Sequence, residues 1–224
     1  MTQYFKAEHL SRQSGLIPMT SLDKSITIIG AGAVGSWSAL SLVKMGFTNL
    51  TVWDYDTVDV VNMSSQIFRF KDIGKPKVVA LQEIIKDFTN IDIKIVNDKY
   101  TGTTITSDFL ISAVDSMSVR KQIWDSNKNV GFVKTLIDGR MGAESLLLYV
   151  MNPSDSKDIV SYEKTLYTDE DSVQAPCTMK STAYCATILS GLICAQIKSV
   201  ATENPYSRIT QFDIPKGSYL SWQK

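Results

Sequence analysis

The 224-residue sequence lacks a surplus of charge of either sign. It contains 23 lysine and arginine residues and 23 aspartate and glutamate residues, so its formal net charge is zero. Nucleic acids and anionic membrane surfaces attract proteins mainly through an excess of positive charge. Because that excess is missing, we expect no nucleic-acid partner and no membrane partner.

Cysteines and long apolar runs are also scarce. The three cysteines, Cys177, Cys185 and Cys194, form no C-x-x-C pair, and an odd number without a secretion signal is typical of free thiols in a reducing compartment. Residues 1–13 carry charges where the apolar core of a signal peptide would lie. The longest apolar stretch, ATILSGLICAQI, is too short to span a bilayer. We therefore predict a cytoplasmic protein.

Apolar segments typical of buried strands alternate with segments of helical periodicity through the first half of the chain. That alternation predicts a mostly parallel sheet with right-handed crossovers. Polar residues 154–177 are predicted to be irregular, and the two strand-like segments over 208–223 predict an antiparallel hairpin. The predicted fold is α/β and Rossmann-like, with helices flanking a mostly parallel sheet and a C-terminal antiparallel extension, in one domain over 1–224.

A glycine-rich turn, IGAGAVGSW, lies between the first predicted strand and the first predicted helix. Gly30, Gly32 and Gly35 allow the backbone to approach a ligand closely, and the helix N-terminus offers free N–H groups to a phosphate. Asp54, about 20 residues further on, is placed to bind ribose hydroxyls. These residues fit the pyrophosphate of a dinucleotide and the triphosphate of ATP, so both ligands remain open at this point.

The next segment, DYDTVDVVNMSSQIFRFKDIGKPKVVAL, resembles the ThiF/MoeB/HesA branch of the ubiquitin-activating enzyme superfamily. Members of that branch follow the glycine turn with D-x-D-x-V, then an N-L-x-R-Q loop, then D-I-G-K-P-K. Asp54 and Asp56 match the first element, Asn62 and Gln66 match the second, and residues 72–77 carry the third intact. The segments LISAVDSMSVR and HLSRQSGLIP resemble two further family elements, so the resemblance covers about residues 9–200.

The resemblance implies an adenylation reaction. ATP with magnesium would activate the C-terminal carboxylate of a small ubiquitin-like or sulfur-carrier protein that ends in Gly-Gly. It implies that the turn amides and Lys77 neutralise the phosphates, that Asp54 binds the ribose next to Asp56, and that Asn62 orients the α-phosphate. It assigns Asp115 to magnesium, a cation that prefers hard oxygen ligands.

The resemblance also carries an expectation about assembly. Arg12 matches an arginine that, in the family, reaches into the active site of the partner subunit. The chain is therefore expected to form a homodimer.

Three features depart from the family pattern. Ser65 stands where the loop arginine of N-L-x-R-Q is expected, and Arg69, four residues on, is a candidate substitute for that charge. The paired C-x-x-C motifs of many relatives are absent, so we expect no structural zinc. Cys177 matches the thiol that sulfur-carrier activators place before the long C-terminal helix, where it could form a thioester or carry sulfur.

Alternative functions remain open. A catalytically weak nucleotide-binding scaffold of the same family is favoured by Ser65. An NAD-dependent oxidoreductase would explain the glycine turn and Asp54 but not DIGKPK or Asp115. An enzyme similar to the tRNA threonylcarbamoyladenosine dehydratases is suggested by GSWSALSLVKMGF, and the missing positive charge disfavours it.

Overall fold

A computed structural model describes residues 8–168 and 182–223. Within them, one eight-stranded sheet has the order β3-β2-β1-β4-β5-β6-β7-β8. The strands are β1 (Ile26–Ile29), β2 (Leu50–Trp53), β3 (Lys94–Val96), β4 (Ser107–Ser112), β5 (Val133–Gly142), β6 (Ser145–Met151), β7 (Ser207–Asp213) and β8 (Ser218–Gln223). The α-helices are α1 (Ala33–Lys44), α2 (Lys77–Thr89), α3 (Met117–Asn127), α4 (Ser156–Glu163) and α5 (Ala183–Ala201).

Strands β1 to β5 pair in parallel and carry helices on both faces. All four residues of β1 are buried, as expected for a central parallel strand covered on each side. Helices α1, α2 and α5 pack with one face of the sheet. Helices α3 and α4 bury Trp124 and Tyr162 against the other face. The α/β fold and the mostly parallel first half are as predicted.

Strands β5 to β8 pair antiparallel, which confirms the predicted C-terminal extension. Leu146 and Leu148 of β6 lie buried in the core on the side of α5. Residues that point to the opposite side line a pocket of about 400 Å³. We call this side of the sheet the open face, and its central residues are Leu147, Tyr149, Ile209, Gln211 and Trp222.

Helix α5 is 19 residues long and mostly apolar. By length and composition alone it could cross a bilayer. Here it packs against α1, and the hydroxyl of Ser190 donates a hydrogen bond to the carbonyl of Val34 at 2.9 Å. Its two cysteines, Cys185 and Cys194, are buried in the core as the sequence predicts.

The prediction that residues 154–177 are irregular is wrong in part. Helix α4 forms within 154–177, and the side chain of Asp155 caps it by accepting hydrogen bonds from the N–H groups of Lys157 and Asp158. The helix is short and polar, so its sequence gives little helical signal. Its stability comes from tertiary packing, mainly from the buried ring of Tyr162 against Trp124 and Tyr149.

Candidate nucleotide site

The sheet changes its direction of winding at β1. The chain passes from β1 through α1 to β2 on one side, and it later returns to place β4 on the other side. Ligands in open α/β sheets bind outside the carboxyl ends of the strands at such a point. The N–H of Gly30 donates to the Trp53 carbonyl at 2.8 Å, and that of Ala113 donates to the Ile29 carbonyl at 2.9 Å. The ends of β1, β2 and β4 therefore meet at one edge, and we call the space outside these three strand ends the crevice.

The three glycines of the turn have different roles. Gly30 has φ +99°, and a Cβ there would lie 2.5 Å from the Ala113 carbonyl oxygen. A Cβ on Gly35 would lie 1.8 Å from the carbonyl oxygen of Gly30. Gly32, the residue before α1, has no atom within 4 Å of its ideal Cβ position. Gly30 and Gly35 thus serve close packing, whereas Gly32 borders open space at the helix N-terminus, where unpaired N–H groups favour an anion.

Two aspartates connect this turn to Lys77. Asp54 accepts a hydrogen bond from the N–H of Ala31 at 2.6 Å and another from the N–H of Asp56 at 2.8 Å. The carboxylate of Asp56 in turn pairs with the Lys77 ammonium at 2.8 Å. We call these three hydrogen bonds the aspartate chain. It brings Lys77, the second lysine of DIGKPK, to the same edge of the sheet as the glycine turn.

A short backbone ladder holds Lys77 in this position. The N–H of Lys77 donates to the Asp56 carbonyl at 2.8 Å, and the N–H of Val58 donates to the Lys75 carbonyl at 2.9 Å. Thr57 and Pro76 form an antiparallel bridge between the same segments. Helix α2 then begins at Lys77, because Pro76 fixes the preceding backbone. The ladder places the D-x-D motif next to the DIGKPK motif, although the two are about 20 residues apart in the sequence.

The loop with Asn62 has its own local structure. A 3-10 helix, Val60–Asn62, is capped by Asp59, whose N–H donates to the Asn62 side-chain oxygen at 2.8 Å. The amide NH₂ of Asn62 is then the group it could offer to a phosphate oxygen. Ser65 is buried, and its carbonyl accepts a hydrogen bond from the Trp37 indole at 3.0 Å.

Arg69 is surrounded by carboxylates. Its guanidinium pairs with Asp72 at 2.8 Å, with Asp87 at 2.6 Å and with Glu83 at 3.5 Å. Burial raises the pKa of Asp72, but the hydrogen bonds from Arg69 outweigh burial and hold it below its ordinary value. A role for Arg69 on a phosphate would require these ion pairs to break, which costs free energy. That Arg69 takes the place of the family arginine missing at Ser65 therefore stays a prediction.

The remaining predicted residues make none of these contacts. Asp115 is exposed and follows the carboxyl end of β4, beside the turn. Among residues 8–168 and 182–223, no group of three or more histidine, cysteine, aspartate or glutamate side chains could hold a metal. Arg12 is exposed on the N-terminal turns. Cys177 lies outside the described residues.

A buried polar cluster beside the crevice was not predicted from the sequence. Asp138 is fully buried and accepts hydrogen bonds from Arg120 at 2.6 Å, from Arg140 at 2.7 Å and from the Tyr162 hydroxyl at 3.0 Å. Burial, reinforced by the negative charge of Asp138, raises the pKa of Tyr162 well above its ordinary value, so the hydroxyl stays protonated. Arg120 also donates to the Val114 carbonyl at 2.6 Å. This Asp138 cluster thereby fixes the backbone next to Asp115.

A family model described as ThiF family matches residues 19–224. The chain belongs to the ThiF family. This finding confirms the resemblance that the motifs carry, and it agrees with the positions of the glycine turn and Lys77 at one edge of the sheet.

Relatives and solved structures agree with the family assignment. The chain is 38% identical over 81 residues to ubiquitin-like modifier-activating enzyme 5 of Dictyostelium discoideum, a match that covers 36% of this chain and 21% of that protein. It is similar in fold to E. coli MccB crystallised with ATP, with a TM-score of 0.74 and 14% identity over 98% of this chain and 72% of that one. E. coli TcdA, a tRNA N6-threonylcarbamoyladenosine dehydratase, has a TM-score of 0.66 and 17% identity over 88% and 95%. The two structures establish the fold alone.

Proposed function

We propose that this ThiF-family chain is an ATP-dependent adenylyltransferase that activates the C-terminal carboxylate of a small ubiquitin-like or sulfur-carrier protein. The observation that carries the proposal is the aspartate chain, which joins the glycine turn to Lys77 at the carboxyl edge of the sheet. A turn that only binds a dinucleotide needs no such lysine. A triphosphate does, because its charge must be neutralised while a bond to phosphorus breaks.

The reaction follows from the chemistry of a carboxylate and ATP. A carboxylate oxygen forms a bond to the α-phosphorus, and the bond from that phosphorus to the bridging oxygen breaks. Pyrophosphate leaves with the electron pair, and an acyl-adenylate remains. The N–H groups at the start of α1 and the Lys77 ammonium would stabilise the departing charge, and Asn62 would orient the α-phosphate.

Magnesium fits the site only together with ATP. Asp115 supplies one exposed carboxylate next to the crevice, and the described residues offer no cluster of three ligands. Magnesium commonly binds through one or two carboxylates plus substrate phosphates. Asp115 would hold the ion, and the ion would neutralise charge on the phosphate oxygens.

The open face is the proposed docking surface for the protein substrate. It lies beside β5, because Leu147 and Tyr149 of β6 lie opposite Arg140 and Asp138 of β5 in the sheet register. Trp222 is half-exposed there and provides the kind of aromatic anchor that binding surfaces favour. The name of the D. discoideum relative, an activator of a ubiquitin-like modifier, supports a partner of this class. Because the matched segment spans only a fifth of that relative, the partner remains part of the proposal.

The proposed assembly is a homodimer in which Arg12 reaches the partner's site. Arg12 is exposed, and so are the apolar side chains of Leu16, Val60, Val61 and Phe70. Exposed apolar side chains of this size are typical of surfaces that bind another protein.

A second candidate is a catalytically weak, nucleotide-binding member of the same family. It is supported by two observations together. Ser65 supplies no charge, and the Arg69 guanidinium is already paired with Asp72 and Asp87. The cation that the family places near the phosphates is then missing, and loss of such a group typically costs a few kcal/mol of transition-state stabilisation.

Two measurements test the proposal. Titration calorimetry with magnesium-ATP and with NAD should give binding of ATP and none of NAD. Pyrophosphate exchange should then appear when a partner protein ending in Gly-Gly is added. ATP binding without exchange for any such partner would favour the weakly catalytic alternative, and tight NAD binding without ATP binding would exclude adenylation.

A further inference from the structure

The side chain of Lys77 is held in place and is almost inaccessible to solvent. The side chain is 9% exposed, and its ammonium lies 2.8 Å from the Asp56 carboxylate. A buried ammonium group without a counter-ion is strongly unfavourable. Among the described residues, Asp56 is the counter-ion that holds the Lys77 ammonium in place before any ligand binds.

The two partners of this ion pair differ in their freedom to move. The backbone of Asp56 is fixed at both ends, by its N–H to Asp54 and by its carbonyl to the N–H of Lys77. Its side chain, in contrast, is 46% exposed, so the carboxylate can turn into water by rotation about its side-chain bonds. The lysine stays in place, and the aspartate is the partner that can leave.

We infer that Asp56 is an exchangeable counter-ion that occupies the phosphate position on Lys77 and competes with ATP for it. A phosphate at Lys77 would bring a second negative group to an ammonium that is already paired with one carboxylate. Like charges at hydrogen-bonding distance repel, so the carboxylate must turn away or weaken nucleotide binding. Asp56 would then be a positioning residue and not a nucleotide ligand.

This inference rests on the proposed binding of ATP and assigns Asp56 a role opposite to that of a ligand. A ligand to ribose or magnesium strengthens nucleotide binding, and its removal weakens it. A competing counter-ion weakens binding, and its removal strengthens it. The two roles therefore predict effects of opposite sign on the affinity for ATP.

The test is the affinity of the full chain for magnesium-ATP, measured by calorimetry for the wild type and for Asp56→Asn. Asparagine keeps the shape of the side chain and removes its charge. We expect about tenfold tighter binding, equivalent to about 1.4 kcal/mol. The rate of pyrophosphate exchange at saturating ATP should stay close to that of the wild type, because the carboxylate of Asp56 has already turned away from Lys77 once ATP is bound. Tighter binding with unchanged turnover is a combination that loss of structure alone does not produce.

Two further variants complete the test. Asp56→Glu keeps the charge and should bind ATP about as tightly as the wild type. Asp92→Asn removes the carboxylate of a similar pair, Asp92–Lys86 at 2.9 Å, at the opposite end of α2, and should leave ATP affinity unchanged. Thermal melting of each variant without and with ATP gives a second readout, and Asp56→Asn should show a larger ATP-induced rise than the wild type.

The outcomes separate this inference from the proposed function. If the wild type binds ATP and Asp56→Asn binds it equally or more weakly, the counter-ion role is wrong and the adenylation proposal stands. If the wild type binds no ATP, both are wrong. If Asp92→Asn also tightens binding, the effect comes from net charge and the specific role of Asp56 is excluded.

Discussion

At the scale of single residues, Gly32 and Gly35 differ in what a methyl group would meet. The space beside Gly32 is open, and the space beside Gly35 is filled by the backbone of Gly30. Gly32→Ala should therefore fold normally and weaken magnesium-ATP binding by tenfold or more, because the new methyl group occupies the place of a phosphate. Gly35→Ala should instead lower the melting temperature by several degrees. Calorimetry and thermal melting check both.

The contrast between the two glycines can fail in a definite way. If Gly32→Ala binds ATP as tightly as the wild type, the nucleotide does not lie at the N-terminus of α1. If both variants lose stability equally, the space beside Gly32 is not available to a ligand.

Arg69 makes a prediction about stability as well as activity. Asp72 is fully buried, and Arg69→Ala would leave it with Lys75 at 3.7 Å as its remaining cation. We expect a loss of about 2 kcal/mol in the free energy of unfolding at neutral pH, since a buried carboxylate that loses its hydrogen-bonded arginine is costly. Because the folded-state pKa of Asp72 is lowered, the pair's contribution is present above the ordinary pKa of 3.8 and is lost as the pH falls below it. Denaturant titrations at pH 7 and pH 3 measure both effects.

The same variant separates the two candidate functions. Abolished pyrophosphate exchange at a temperature where Arg69→Ala remains folded would support Arg69 as the substitute for the family arginine. Unchanged exchange would assign it a structural role, and Ser65→Arg, at a buried position, would then test whether a restored cation speeds turnover.

At the scale of secondary-structure elements, β8 presents different side chains on its two faces. Trp222 lies opposite Ile209 on the open face, and Tyr219 pairs with Phe212 on the other. Both rings are about half exposed. Trp222→Ala should weaken binding of the protein substrate by about tenfold or more without changing ATP affinity. Tyr219→Ala is the matched control, and an equal loss from both variants would show that the strand edge and not the open face is the docking surface.

Elements with strong local patterns were predictable, and contacts between distant segments were not. Residues 25–29, SITII, predict a buried strand because three of the five side chains are isoleucine and four of the five are β-branched. The Asp138 cluster has no comparable signal. Asp138 and Arg140 look like polar residues in an ordinary strand, and they meet Arg120 and Tyr162 only through pairing of β4 with β5 and packing of α4.

The features of the candidate site also divide into those that the sequence predicts and those that only the structure shows. The glycine turn, Asp54 and Lys77 were identified from their spacing and from the family resemblance. That Asp56 holds Lys77, and that carboxylates occupy Arg69, depends on side-chain geometry that spacing does not contain.

At the scale of the whole molecule, the proposed role of Arg12 depends on a second copy of the chain. Light scattering at micromolar concentration should give about twice the chain mass of 24.9 kDa, with a twofold, self-complementary interface. Arg12→Ala should slow pyrophosphate exchange in the dimer without affecting thermal stability. A monomer that still adenylates its substrate would exclude Arg12 from the active site.

The Asp138 cluster combines two arginines with one aspartate, so it holds a buried charge of +1 inside a chain of zero net charge. Because the whole chain has no net charge, and salt screens its exposed charges beyond about 8 Å at physiological ionic strength, no long-range field steers a partner toward it. Encounter with a partner should then proceed at an unsteered rate of about 10⁵–10⁶ M⁻¹s⁻¹, with little dependence on salt. A partner with a free C-terminal carboxylate and one with an amidated C-terminus should therefore associate at similar rates. They would differ in their dissociation rates, once the C-terminal tail of the partner has reached the crevice.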